Sequence, residues 1–249
     1  MTGDVCLTVD VEDWYDGMEV LGERIPRPNG AASGLTGLGS LVDAVDGTAA
    51  LTLFVVGNYA PRIQAELTDL AAGGHEIASH GPDHGRLPDE PTALVDWLRR
   101  GRTELEDLVQ QPVRGFRSPR FDVPPSIGLK GFRDLLAEAG FAYVSDTSRL
   151  GEASPIRELP VLSTRHYPIG GGSYQRLLPR SVTDRVVGRA SGSVVLYYHS
   201  YDFGATLPGI ASIRSLAVAK QLVGRDRVSG TFSRILSRYG SKACGHVGR

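Results

Sequence analysis

Two acidic side chains follow a short apolar run near the start of the chain, within the segment Thr8-Val9-Asp10-Val11-Glu12-Asp13-Trp14. In an extended segment Asp10 and Glu12 project to the same side, because side chains alternate along a strand. Crowded carboxylates repel one another, and they persist best when a cation lies between them or when one acts as a base. Taken alone, the segment is equally compatible with a solvated acidic turn.

Two histidines follow another short apolar run, in the segment Ser79-His80-Gly81-Pro82-Asp83-His84. Their spacing predicts one helical turn with both rings on the same face, and Pro82 suits the first position of such a turn. Both imidazoles could then reach one metal ion. A His-x-x-x-His pair is a weak signal by itself. We interpret the nearby His75, at the opposite end of the predicted strand, as structural.

The histidine pair and one carboxylate would make a three-ligand site with an open position for water, which is typical of catalytic rather than structural zinc. A metal in such a site acidifies bound water and polarises a carbonyl group. A second carboxylate could accept the proton as the water attacks. The two clusters therefore predict metal-assisted hydrolysis.

Three later segments each carry one further candidate residue. Arg117 could hold a carboxylate in a bidentate pair, or it could be a surface residue in a turn. Asp146 could act at the site or cap a turn. His199 could be a core residue, or it could be the acid that protonates a leaving amine.

The candidate residues come directly after segments with strand-like composition, and helical segments separate those strands. The predicted strands cover residues 5–9, 51–56, 75–79, 113–116, 141–145, 156–162 and 193–198. The predicted helices cover residues 41–45, 61–72, 91–109, 127–139 and 210–223, with a long loop over 22–40 and a frayed terminus after 238. Alternation of strand and helix predicts a parallel α/β sheet whose carboxyl ends meet at one rim.

The 249 residues suffice for one α/β barrel, and because no linker interrupts them we expect a single domain over 1–249. A net charge of −1 indicates no nucleic-acid partner, and no apolar stretch is long enough to insert into a membrane. No leader segment is visible, so we expect a cytoplasmic protein. Two cysteines favour neither a disulfide framework nor a Cys-based zinc site, and we interpret Cys6 as a small core residue.

In this order, the five motifs between residues 8 and 203 resemble those of the polysaccharide deacetylase family (NodB homology, carbohydrate esterase 4), in its Asp-Val-Glu-Asp-Trp branch. The resemblance implies a distorted (β/α) barrel of about seven parallel strands and a divalent metal, usually Zn²⁺. It also implies roles for six residues: Asp10 as base, His80 and His84 as metal ligands, Arg117 as the group that orients the base, His199 as acid and Asp146 as the residue that tunes it.

The sequence departs from the common family pattern in three places. Val11 follows the base, so the carboxylate ligand is Glu12 or Asp13, and we favour Glu12 because it shares a face with the base. Arg120 replaces an aromatic residue, which indicates an anionic group on the substrate, while its backbone N–H could still hold an oxyanion. Tyr197 replaces a leucine that lines the acetyl pocket. We expect the substrate to contact Trp14, Arg120 and Tyr197.

The resemblance implies removal of an N-acetyl group from an amino sugar or a related carbohydrate, with release of acetate. The lack of a leader favours a soluble sugar or a biosynthetic intermediate over a cell-wall polymer. One alternative keeps the fold and opens a cyclic ureide such as allantoin. Another is a carbohydrate-binding module without catalysis. The complete set of base, ligands and acid favours the metal-dependent deacetylase.

Overall fold

A curved sheet of seven parallel strands forms the centre of the computed structural model, in the order β6-β5-β4-β3-β2-β1-β7. The structure describes residues 3–19, 36–43, 45, 47, 49–164, 168–190, 192–204, 219 and 222–247. The strands are β1 (Val5–Val11), β2 (Thr52–Val55), β3 (Glu76–Ser79), β4 (Gly115–Phe116), β5 (Tyr143–Val144), β6 (Arg157–Glu158) and β7 (Val194–His199). The predicted distorted (β/α) barrel with about seven parallel strands is confirmed.

Helices connect the strands and pack against the sheet in a shared hydrophobic core. They are α1 (Trp14–Glu19), α2 (Thr36–Asp43), α3 (Gln64–Ala72), α4 (Pro91–Val109), α5 (Gly128–Glu138), α6 (Gly172–Gln175), α7 (Arg180–Arg189) and α8 (Val228–Tyr239). The longest, α4, begins where sequence rules place it: Pro91 is the first residue, and the Glu90 side chain accepts hydrogen bonds from the first backbone N–H groups. No helix of the described residues is long and apolar enough to cross a lipid bilayer.

Strand β1 lies between β2 and β7, so its acidic carboxyl end lies beside the carboxyl ends of those two strands. Asp10 is opposite Phe54 on one side and opposite His199 on the other. Ser79 at the end of β3 is opposite both Val55 and the end of β4. Because parallel strands end at the same edge, this register collects the candidate residues at one rim.

Some element predictions were wrong or fall outside the described residues. The segment from His80 to His84 forms bends rather than a helical turn, because Gly81 has a φ of +86°, which a helix does not allow. Helix α2 occupies the end of the predicted loop over 22–40, whose other residues lie outside the described part. The predicted helix over 210–223 also falls largely outside it.

The carboxyl-terminal segment, predicted as frayed, is packed under the amino-terminal end of the sheet. Lys242 N donates to Val5 O at 2.9 Å, and Cys244 N donates to Thr52 Oγ1 at 2.8 Å. Cys244 and Val247 are both 0% exposed. The frayed-terminus prediction was wrong, because the polar composition of the segment hides the few apolar side chains that it buries. Cys6 is buried as predicted.

Candidate active site

Three side chains from two loops meet at the carboxyl-terminal rim. Glu12 follows β1, while His80 and His84 follow β3. Their ligand atoms all lie within 4.8 Å of one another, and Glu12 Oε2 is 2.7 Å from His84 Nε2 and 3.6 Å from His80 Nε2. Ligands of a tetrahedral zinc ion are separated by about 3.3 Å. Asp13 is also buried but is not part of this cluster.

The chemistry of these atoms fits a cation. Glu12 Oε2 is buried beside the Nε2 atoms of His84 and His80, but neither contact has the geometry of a hydrogen bond. A buried carboxylate oxygen without a hydrogen bond is costly, and a metal ion removes that cost. The donor set of two imidazoles and one carboxylate suits Zn²⁺.

The backbone of the Arg-Ser-Pro motif fixes the tautomer of His80. His80 Nδ1 lies 2.9 Å from the carbonyl oxygen of Arg117. A carbonyl oxygen only accepts, so Nδ1 must carry the proton and Nε2 presents its lone pair to the cluster. This is the arrangement in which metal-binding histidines are usually held.

The charges of the cluster support one another. Although burial opposes it, the neighbouring His84 and His80 hold the pKa of Glu12 well below its usual range. Burial likewise opposes protonation of His84, but the Glu12 carboxylate raises its pKa. In the absence of a metal, Glu12 is therefore ionised and shares its charge with the imidazoles.

Arg117 is fully buried and joins β1 to the loops after β4 and β5. Its Nη1 donates to Asp10 Oδ1 at 2.6 Å and to Thr8 Oγ1 at 2.9 Å. Its other nitrogens donate to Ser145, Nε to the carbonyl oxygen at 3.0 Å and Nη2 to Oγ at 2.8 Å. The guanidinium also lies 4.1 Å from the centre of the Phe54 ring. Asp10 is thus held in one orientation by a charge-assisted bond.

His199 ends β7, and its Nε2 lies 3.7 Å from Glu12 Oε1, the carboxylate oxygen that the histidine pair does not approach. Its carboxylate partner is Asp202, whose Oδ2 accepts from the His199 backbone N at 3.0 Å and lies 3.4 Å from Nδ1. Burial opposes protonation, but Asp202 and Glu12 raise the pKa of His199 to about 9. Tyr201 stacks on the imidazole with a centroid distance of 4.8 Å. Arg176 Nη1 lies 3.6 Å from Asp202 Oδ1, the carboxylate oxygen that does not contact His199.

Asp146 lies elsewhere at the rim. Its Oδ1 accepts from Ser118 N at 3.1 Å, and its Oδ2 lies 3.1 Å from Arg133 Nη1. Sequence reasoning assigned the carboxylate partner of His199 to Asp146, whereas the carboxylate in contact with the imidazole is Asp202. The signal was available, because Asp202 follows His199 by three residues within the same motif, a spacing that suits a turn at a strand end.

The three residues expected to contact substrate occupy different environments. Trp14 is 0% exposed and packs on Tyr15. Arg120 has a φ of +58° and borders an open groove of about 590 Å³, where its Nε donates to Asp122 Oδ2 at 2.9 Å. Tyr197 is buried directly below the rim, with its ring 5.7 Å from that of His199.

Comparison with known proteins identifies two matching segments. Residues 46–144 match a family model described as polysaccharide deacetylase, and residues 126–247 match one described as a domain of unknown function (DUF3473). The first segment contains β2, β3 and β4, and the second contains β6 and β7, so both segments contribute to one sheet. No protein with a curated description matches the chain.

Several solved structures share the fold. A structure from Mycobacterium smegmatis, assigned as a polysaccharide deacetylase, aligns with a TM-score of 0.65 and 23% identity over 96% of this chain and 86% of that one. A CE4 family pseudoenzyme from Bacillus anthracis aligns with a TM-score of 0.56 and 11% identity, over 99% of this chain and 65% of that one. The Puue allantoinase aligns with a TM-score of 0.55 and 14% identity, over 96% of this chain and 92% of that one. At these identities the likeness shows the fold.

Proposed function

We propose that the chain is a hydrolase of the polysaccharide deacetylase family, whose model matches residues 46–144, and that it removes an N-acetyl group from an amino sugar or a related carbohydrate with the help of Zn²⁺. The observation that carries the proposal is the meeting of Glu12, His80 and His84 at the rim that also holds Asp10 and His199. A protein that only binds carbohydrate would need no proton donor beside a metal-type cluster.

Glu12, His80 and His84 are the proposed ligands. A divalent cation held there would lower the pKa of a water molecule and polarise the carbonyl group of the substrate. The contact of His80 Nδ1 with a carbonyl oxygen directs Nε2 toward the cluster, and the ionised Glu12 carboxylate can bind a cation without first losing a proton.

Asp10 is the proposed base. Arg117 fixes one carboxylate oxygen at 2.6 Å, which leaves the other oxygen to accept the proton of the attacking water. The backbone N–H of Arg120 is the proposed donor to the oxyanion. The left-handed φ of that non-glycine residue is a strained conformation, and such strain often accompanies a catalytic turn.

His199 is the proposed acid that protonates the leaving amine. Asp202, rather than Asp146, is the residue that we propose to tune it, because Asp202 contacts both its backbone N–H and its ring. The raised pKa keeps the imidazole protonated near neutral pH, as an acid requires.

The test combines metal content with product release. We expect the purified protein to hold about one zinc ion per chain by elemental analysis, and to release acetate from at least one member of a panel of N-acetylated sugars. The variant Asp10→Asn should retain the metal and lose turnover by at least about a thousandfold, since it removes the base. The control Asp134→Asn changes an exposed carboxylate of α5 and should alter neither measurement.

Other outcomes separate the alternatives. Ring opening of allantoin without acetate release would assign the chain to cyclic-amide hydrolysis, on the same fold as the Puue allantoinase. Bound zinc without turnover of any substrate would place it with the pseudoenzymes. Loss of zinc in Asp10→Asn would move Asp10 from the base to the ligand set.

A further inference from the structure

One peptide group joins the proposed metal site to a buried charge cluster that the mechanism does not use. The carbonyl oxygen of the Arg117–Ser118 peptide accepts from His80 Nδ1 at 2.9 Å. The N–H of the same peptide donates to Asp146 Oδ1 at 3.1 Å. Because a trans peptide is planar, its C=O and N–H point in opposite directions, and fixing one fixes the other. The orientation of His80 is therefore coupled to Asp146.

The other oxygen of Asp146 is anchored from a different side of the fold. Arg133 of α5 is 0% exposed, and its Nη1 lies 3.1 Å from Asp146 Oδ2. Its Nε donates to Glu158 Oε1 of β6 at 2.9 Å, and its Nη2 donates to Ser148 O at 2.9 Å. Three nitrogens of one guanidinium are thus used inside the protein, which leaves Asp146 little freedom to rotate.

We propose that Asp146 is a positioning residue for the metal site, acting on His80 through the Arg117–Ser118 peptide. The ionised carboxylate pulls on the N–H, polarises the peptide and strengthens its carbonyl as an acceptor for His80 Nδ1. It thereby favours the tautomer that presents Nε2 to a cation. The inference rests on the metal site of the proposed function, and it gives Asp146 a role separate from the tuning of His199.

The chain of hydrogen bonds also separates the two histidines. It reaches His80 through the peptide, whereas His84 Nε2 lies 2.7 Å from Glu12 Oε2 and no hydrogen bond among the described residues joins His84 to that peptide or to Asp146. A change at Asp146 should therefore disturb the His80 ring selectively. A merely structural role of Asp146 would affect both rings, or neither.

The test uses Asp146→Asn, which keeps the size of the side chain but places an amide N–H₂ against either Ser118 N–H or Arg133. The matched control is Asp134→Asn, one residue beyond Arg133 on α5, where an exposed carboxylate pairs with Lys130 at 2.8 Å. Zinc affinity is measured by competition with a chromogenic chelator. The imidazole tautomers are measured in the metal-free protein from the nitrogen-15 shifts of the ring atoms.

We expect Asp146→Asn to weaken zinc binding by about tenfold, the lower end of the effect of outer-shell changes. It should also reduce the Nδ1–H tautomer of His80 while leaving the tautomer of His84 unchanged. The control Asp134→Asn should stay within about twofold of the parent protein in affinity. Glu158→Gln weakens the bond that anchors Arg133 from β6. It should reduce the Nδ1–H tautomer of His80 too, but by less than Asp146→Asn does.

A folded Asp146→Asn variant with parental zinc affinity and an unchanged His80 tautomer would overturn the proposal. If that variant does not fold, Glu158→Gln decides, and an unchanged His80 tautomer there has the same consequence. If the parent protein binds no zinc, the proposed function fails, but the tautomer measurement in the metal-free protein still tests the coupling. Absence of deacetylase activity alone would leave this inference standing.

Discussion

The guanidinium of Arg117 donates a 2.6 Å hydrogen bond to the carboxylate of Asp10, and both groups lie inside the protein, at 0% and 3% exposure. The two residues are 107 positions apart in the chain. The bond connects the first strand of the sheet to the loop after the fourth strand. Orientation of the proposed base and stability of the barrel rim therefore depend on the same contact.

Replacing Arg117 with Met should destabilise the protein by about 3–5 kcal/mol, because it leaves the Asp10 carboxylate buried without a counter-charge. The free energy of unfolding in urea measures this loss. Arg99→Met is a suitable comparison, since it removes an exposed arginine that pairs with Glu138 at 3.3 Å and should cost less than about 1 kcal/mol. Equal losses in the two variants would show that the buried pair contributes no more than a surface pair.

Replacing Asp202 with Asn should lower the rate of the proposed reaction by about 10–100-fold and move the alkaline limb of its pH–rate profile to lower pH. The acid must be protonated to act, and Asp202 is one of the groups that raise the pKa of His199. Without that carboxylate the imidazole loses its proton at a lower pH. A limb that stays in place, or moves to higher pH, would separate Asp202 from the acid.

His75 should make the protein less stable in mild acid. Burial lowers its pKa below the ordinary value of 6.5, and its Nδ1 accepts from Leu51 N at 3.1 Å, a bond that protonation would break. The unfolded chain thus binds a proton more readily than the folded one just below pH 6.5, so stability is lost as the pH falls through this window. The parent protein should lose stability relative to His75→Gln between pH 7.5 and 5.5 in urea titrations. A constant difference would contradict this assignment.

Deleting residues 243–249 should lower the free energy of unfolding by at least about 2 kcal/mol, because burial of one valine-sized side chain contributes about 1.5–3 kcal/mol. The deletion removes Cys244 and Val247, both fully buried, together with the hydrogen bond to Thr52. Deleting only residues 248–249 removes none of these contacts. If both truncations unfold at the same denaturant concentration, the segment does not stabilise the sheet.

The sequence by itself determined the elements and most of the candidate site. Alternation of apolar strands with amphipathic helices predicted the parallel sheet, and helix α4 begins and ends at the predicted residues, Pro91 and Val109. Both signals are local, because periodicity and capping depend on neighbours within a few positions. The rim position of Asp10, His80 and His199 followed from their place after three strands.

Tertiary structure alone decided which partners those residues have. No local pattern indicates that Ser145 holds Arg117, that Asp146 faces Arg133 rather than His199, or that Val247 is buried beneath the first strands. These contacts join segments from different parts of the chain, and their geometry depends on strand register and on how each loop leaves the sheet. Sequence spacing encodes which residues reach the rim, but long-range packing sets the distances and charges between them.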